Sequence, residues 1–276
     1  MASLASASEG SHIESSTSTS NKEPKTTTHI TSILILIAMA AEAEPLIASL
    51  SLTKLEAHHT HPYSTTLYTG TLRGVTITVA TNGQCILCPE NAGIDNVGTT
   101  PAALTTLLAM QILSPKPDLV INAGTAGGFS KMGAAIGDAF VSTHIRHHDR
   151  RIPIPGWDFY AKGHHSTITT PNLCAALKLK SGVVSTGNSL DCTDRDMELM
   201  LENGASVKDM EAASIAWVLQ HSNTPFFCLK VVTDIVDSTR PTQEEFMENL
   251  AAAAQSLQRN LRSCVDFIDG KSLGDL

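Results

Sequence analysis

The hydrophobic residues of this chain come in short runs, and several runs stop at an acid or a glycine-rich turn. Ile33-Leu34-Ile35-Leu36-Ile37-Ala38 leads to Met39 and Glu42, and Leu119-Val120-Ile121 leads to Asn122-Ala123-Gly124-Thr125-Ala126-Gly127-Gly128. Val207-Lys208-Asp209-Met210 leads to Glu211, and Phe226-Phe227-Cys228-Leu229-Lys230-Val231-Val232 leads to Thr233-Asp234. Continuous apolar runs of this length suit strands covered on both faces. In an open parallel sheet, ligands bind beyond the carboxyl ends of the strands. If these runs are neighbouring strands, Glu42, Thr125, Glu211 and Asp234 converge on one crevice. That is the layout of an enzyme active site.

Helical signals fall between the runs. Residues 42–50 open with acids, which suits the positive end of a helix dipole. Residues 96–113 read as a helix with Pro101 near its first turn. Further helices are expected over 195–202, closed by Gly204, over 212–220, and after Pro241. In the last of these, Phe246, Met247, Leu250, Ala253, Leu257 and Leu261 fall near helical spacing. Residues 66–70 and 75–80 alternate around Leu72-Arg73-Gly74 as a hairpin. Short strands are expected at 139–143 and 182–185, and a loop over 144–163, where Pro153, Pro155 and Gly156 fall. Alternating strands and helices define an α/β class with a mostly parallel sheet.

The chain has 276 residues, 42% hydrophobic and 17% charged, which suits one large globular core. Residues 1–28, rich in Ser, Thr and Ala, read as a disordered tail, and 29–276 as a single domain. The tail lacks Arg and carries Glu9, Glu14 and Glu23, unlike a transit peptide. The run at 33–41 is too short to span a bilayer, so the cytosol is the expected compartment. A formal net charge of −8 disfavours nucleic acid and anionic membranes as partners. The six cysteines are scattered and read as reduced thiols, although Cys85 and Cys88 have metal-ligand spacing. The pairs His58-His59, His147-His148 and His164-His165 lack the H-E-x-x-H arrangement and read as surface loop residues. His148 differs in lying in the segment that could cover the crevice. No metal and no cofactor is expected.

Asp234 is the sharpest candidate, because a carboxylate behind the mostly apolar run from Phe226 to Val232 is partly desolvated and its pKa rises. An acid kept protonated near neutrality can serve a leaving group. The alternative is a capping or turn Asp, a role open equally to Asp237. Glu42 and Glu211 could orient a water or hold a sugar diol, or could simply face a helix N-terminus. The glycines at 124, 127 and 128 are not a dinucleotide fingerprint. They read as a turn that brings backbone close to a ligand.

Taken together, these motifs resemble the plant-type 5′-methylthioadenosine (methylthioadenosine/S-adenosylhomocysteine) nucleosidases. The similarity runs from about Thr31 to Leu276 and includes His148-Asp149-Arg150-Arg151-Ile152-Pro153-Ile154-Pro155, Val207-Lys208-Asp209-Met210-Glu211-Ala212 and Arg240-Pro241-Thr242. The resemblance implies the nucleoside phosphorylase type I fold, a three-layer α/β/α domain around a twisted mixed, mostly parallel sheet, usually a homodimer. It implies hydrolysis of an N-glycosidic bond to adenine and methylthioribose, as in methionine salvage. Carried over, Asp234 matches the acid at N7 of adenine and Glu42 the residue that deprotonates the attacking water. Glu211 matches the ribose-binding carboxylate and Met210 the residue beneath the ribose. Thr125 matches a hydroxyl near water and sugar. Leu190 matches the apolar residue stacking on adenine, the Asp191 backbone the group reading the base edge, and Thr233 the residue orienting the acid. Leu46 and Phe246 are candidates for the 5′ subsite by position. One departure stands out: the plant pattern reads Ser-Thr-Gly-Asp-Ser where this chain has Asn188.

Two other readings compete. A phosphorylase of the same fold would gather positive groups and place no acid opposite the sugar, so Glu42 argues against it. An idle storage protein would be expected to lose catalytic acids, and Glu42, Glu211 and Asp234 are all present.

Overall fold

A computed structural model describes residues 29–56, 63–87 and 93–276. The tail over 1–28, Cys88 and the His58-His59 pair lie outside the described residues. Among the described residues, ten strands and seven α-helices follow one another as β1 (Ser32–Ile37), α1 (Ala40–Ser49), β2 (Thr53–Leu55), β3 (Thr66–Leu72), β4 (Val75–Thr81), α2 (Thr99–Ile112), β5 (Leu119–Gly128) and β6 (Ala139–His147). Then come α3 (Asp158–Lys162), β7 (His165–Ser166), α4 (Pro171–Leu177), β8 (Lys180–Thr186), α5 (Asp194–Glu202), β9 (Ala205–Asp209), α6 (Ala212–His221), β10 (Phe226–Ile235) and α7 (Thr242–Ile268).

The strands form one mixed sheet in the order β10-β6-β8-β9-β5-β1-β4-β3-β2. β10 also pairs with β5, so β5, β9, β8, β6 and β10 close into a ring, with β1 to β4 extending from it. β1, β5 and β10 run parallel side by side, as the apolar runs suggest. β9 departs from that picture. It runs antiparallel to β5 and meets it only at Gly127↔Lys208 and Gly128↔Val207. Curling of the sheet, not a flat open edge, brings Glu211 to the other acids.

Strand alternation explains the three layers. Ile33, Ile35 and Ile37 of β1 face one apolar cluster, to which α1 adds Leu46 and α7 adds Leu257, Leu261 and Ile268. Leu34 and Leu36 face a second cluster, with Ala109 and Met110 of α2 and Ile215 and Leu219 of α6. Each fully buried Leu or Ile contributes roughly 1.5–3 kcal/mol, so the two clusters pin both faces of the sheet. Met247, expected on the buried face of α7, instead points to solvent at 69% exposure.

Two local expectations are corrected. Residues 124–128 do not form a turn after the strand, because β5 continues through Gly128, paired to β10 along its length. Residues 144–163 are not wholly loop. β6 extends to His147, paired to Thr186 of β8, and α3 forms over Asp158–Lys162.

Candidate active site

β1, β5, β9 and β10 end around a cavity of ≈ 220 Å³. Glu42, Thr125, Met210, Glu211, Thr233 and Asp234 all line it, as does Leu190. Asp191 does not; it is exposed, one residue beyond the wall. Phe246 also lines the cavity, whereas Leu46 is fully buried in the core beneath α1.

Glu42 sits in the first turn of α1 and is almost fully buried. Its Oε1 accepts hydrogen bonds from Thr125 N (2.7 Å) and Thr125 Oγ1 (2.6 Å). Burial raises its pKa, while those two bonds and the Lys230 charge oppose the rise. The carboxylate is therefore fixed by β5 at the cavity wall.

Asp234 lines the same cavity, where the β10–β5 register slips between Val232 and Asp234. The irregularity turns two successive residues toward the site, and bulges commonly re-aim side chains in this way. Thr233 Oγ1 donates to Asp234 Oδ1 at 2.7 Å. Burial raises the Asp234 pKa against the Thr233 bond and the Lys208 charge. A Cβ on Gly127 would lie 2.7 Å from Asp234 Oδ2, so only glycine leaves room for this carboxyl. Asp237 takes the capping role: it accepts from Ser130 N (2.7 Å) and Lys131 N (3.1 Å) at a short 3₁₀ turn.

Glu211 precedes α6 but does not cap it. Its Oε1 accepts from Gly98 N at 2.8 Å instead. Burial, and next the neighbouring Asp209 charge, push its pKa up to about 7. Gly98 has φ +98° and precedes α2. Asn188 supplies the cap that this glycine lacks: its Oδ1 accepts from Thr99 N and Thr99 Oγ1, both at 2.9 Å. Asn188 N and Nδ2 in turn donate to Asp149 Oδ2 (2.7 and 3.3 Å). The departure at 188 thus ties three segments together at the cavity edge.

Two buried lysines in the wall were not singled out from sequence. Lys230 pairs with Asp209 at 2.7 Å, both side chains at most 2% exposed. Asp209 also accepts from Thr186 Oγ1 (2.6 Å) and Ala212 N (2.9 Å). Burial would raise the Asp209 pKa, but Lys230 and these bonds hold it below the usual carboxylate range. A lysine inside the run Phe226 to Val232 was the available signal, since an ammonium among buried residues needs a partner. Lys208 is the second, lining the same wall.

The histidines differ from the surface reading. His147, His148 and His165 are buried. His148 Nδ1 lies 3.1 Å from Ser185 Oγ, outside the cavity. Among the described residues, no three His, Cys, Asp or Glu side chains are grouped to hold a metal.

Three carboxyls with raised pKa, those of Glu42, Glu211 and Asp234, share the lining of one cavity with apolar Met39, Val97, Leu190 and Phe246, which suits a small, partly apolar sugar derivative. This fold and site place the chain in a known family: the phosphorylase superfamily model matches residues 32–266, and the chain belongs to that superfamily. Within it, the chain is 44% identical over 249 residues to a 5′-methylthioadenosine/S-adenosylhomocysteine nucleosidase of Arabidopsis thaliana, covering 90% of this chain and 95% of that protein. It is 42% identical over 248 residues to an Arabidopsis 5′-methylthioadenosine nucleosidase, covering 90% and 91%. The structure of Arabidopsis 5′-methylthioadenosine nucleosidase in apo form superimposes with a TM-score of 0.85 at 41% identity, over 90% of this chain and all of that one.

Proposed function

We propose that this chain hydrolyses the N-glycosidic bond of 5′-methylthioadenosine to adenine and methylthioribose, with S-adenosylhomocysteine as the second substrate to test. The observation that carries the reading is a pair of buried carboxyls lining one cavity: Glu42 held by Thr125 and Asp234 held by Thr233. Asp234 gives its proton to N7 as the C1′–N9 bond breaks, so the base leaves neutral. Glu42 takes a proton from water as the water oxygen bonds to C1′. Each such proton transfer is worth about 10² to 10⁴ in rate. Glu211, aimed by Gly98 N, holds the ribose hydroxyls above Met210. Leu190 covers the base, while Phe246 and Val97 accept the methylthio group.

A phosphorylase would need free positive charge where phosphate binds. Lys230 is already paired with Asp209, Lys208 is bonded to two carbonyls, and Glu42 would repel the phosphate. Homodimer formation and a cytosolic role in methionine salvage belong to the same reading. Exposed Val97, Leu107 and Trp217 on or near α2 and α6 offer an apolar face for a second copy. Among the described residues no helix is long and apolar enough to cross a membrane. The test is product analysis with methylthioadenosine, with and without phosphate. Adenine plus methylthioribose in the absence of phosphate is expected. A strict phosphate requirement with methylthioribose-1-phosphate refutes the hydrolase, and no adenine under either condition refutes both.

A further inference from the structure

Lys208 is a buried lysine in β9 with its ammonium in the cavity wall. Its Nζ donates to the carbonyl oxygens of Ser189 and Leu190, both at 2.7 Å. Unlike Lys230, it forms no ion pair among the described residues. Lys208 is paired in register with Gly127, over which Asp234 Oδ2 lies closely enough that a Cβ would be 2.7 Å away. The lysine therefore joins two parts of the base-binding end: the segment carrying Leu190, and the carboxyl of Asp234.

We propose that Lys208 is a positioning residue for leaving-group departure, latching the Ser189–Leu190 backbone over the base and setting a positive charge beside Asp234. The proposal rests on the nucleosidase reading above. When Asp234 gives its proton to N7 and the C1′–N9 electron pair moves onto the purine, a carboxylate appears in a partly dry wall. A neighbouring ammonium offsets that charge, so Asp234 is a stronger acid than burial alone would make it.

The charged neighbours are few. Asp234 is faced by Lys208 from β9 and Glu245 from α7. Lys208 is faced by Asp191 and Cys192 from the segment after β8, Asp209 from its own strand, Asp234 from β10, and His148 from the segment after β6. Burial lowers the pKa of Lys208, while the acids around it and the two carbonyl acceptors favour its charged form.

The test compares Lys208→Met, which keeps length and removes charge, with Lys208→Arg, which keeps charge and donors. The first readout is the pH profile of adenine release. Activity needs protonated Asp234, so its alkaline limb follows that group. In K208M the limb moves to higher pH, the plateau kcat falls, and KM rises about tenfold or more, the equivalent of one lost charge-assisted hydrogen bond. K208R restores the limb. A merely structural lysine would lower activity and leave the limb in place, and superimposable limbs overturn the proposal. The second readout needs no turnover: carbon-detected NMR titration of the Asp234 carboxyl, assigned with D234N. An Asp234 midpoint at higher pH in K208M supports the proposal, and an unchanged midpoint overturns it even if the protein cleaves no methylthioadenosine.

Discussion

Lys230→Met is the most informative perturbation of the core beneath the site. The native ammonium lies 2.7 Å from Asp209 Oδ2, and neither side chain is more than 2% exposed. Removing it leaves a buried carboxylate whose remaining donors, Thr186 Oγ1 and Ala212 N, are neutral. Breaking a buried pair from one side costs about 3–5 kcal/mol, because the stranded charge loses its compensation. For a domain of this size that is a fall in Tm of roughly 6–20 °C. Asp209→Asn alone strands the ammonium and should cost a similar amount. The double variant D209N/K230M removes both charges while leaving Thr186 and Ala212 an amide to bond, so most of the loss should be recovered. Urea unfolding of the four proteins gives the coupling energy directly. The pH dependence supplies a second sign. Without Lys230 the folded-state pKa of Asp209 rises above its unfolded value, so stability is greatest at low pH and is lost as pH rises through the raised pKa. K230M should therefore lie closer to the parent protein at pH 5 than at pH 8. A K230M cost below about 1 kcal/mol, or a double variant as unstable as the sum of the singles, would refute the argument.

The site supports further expectations. Asp234→Asn should fold normally and lose adenine release by about 10² or more; near-parental turnover removes Asp234 from the acid role. Glu42→Gln should still bind a nucleoside, read by calorimetry, without cleaving it. Loss of binding with chemistry intact contradicts its role at the water. Glu211 carries its proton to about pH 7 when folded and to about 4.5 when unfolded, so its contribution is complete below 4.5 and lost above about 7. Glu211→Gln should accordingly flatten the fall in unfolding free energy between pH 5 and 8, by an amount on the order of 2–3 kcal/mol. An unchanged slope contradicts the shift. Asn188→Ala removes the acceptor for Thr99 N and should cost about 1 kcal/mol; it should also raise KM more than it lowers kcat, because Val97 and Gly98 shift at the rim. Parental Tm and KM would show that the bridge is idle.

Much of this arrangement was legible in sequence because β1, the start of β5 and most of β10 are apolar runs that stop at an acid or a glycine-rich segment. Their ends and that of β9 locate Glu42, Thr125, Glu211 and Asp234 without knowledge of the sheet. The resemblance added Leu190, Met210 and Thr233, all of which line the cavity. What escaped was the consequence of pairing over long distances. Gly124 to Gly128 look like a turn by composition, yet β10 holds them extended as strand. Lys208 and Lys230 look misplaced inside apolar strands until the curled sheet supplies Asp209 and the 189–190 carbonyls. His147 and His148 read as loop because their neighbours are charged, but β8 takes His147 into a ladder and Ser185 receives His148. Leu46 shares the buried face of α1 with Glu42 but lies one turn further along, in the core and not at the cavity.

The region around β1 has a bearing on how the chain reaches this state. His29 bridges Ser272, and Ile30 N donates to Lys271 O at 2.8 Å. The segment leading into β1 thus meets its last neighbours only after α7 has been made, with α7 arriving late to cover Ile33, Ile35 and Ile37. Contacts of such sequence separation slow folding. Until α7 docks, a nascent chain carries one apolar sheet face only partly covered, the kind of surface that recruits chaperones or drives aggregation. The acids of the site sit at the ends of the same strands, so catalytic geometry would be assembled late, after synthesis of α7, and not progressively during translation.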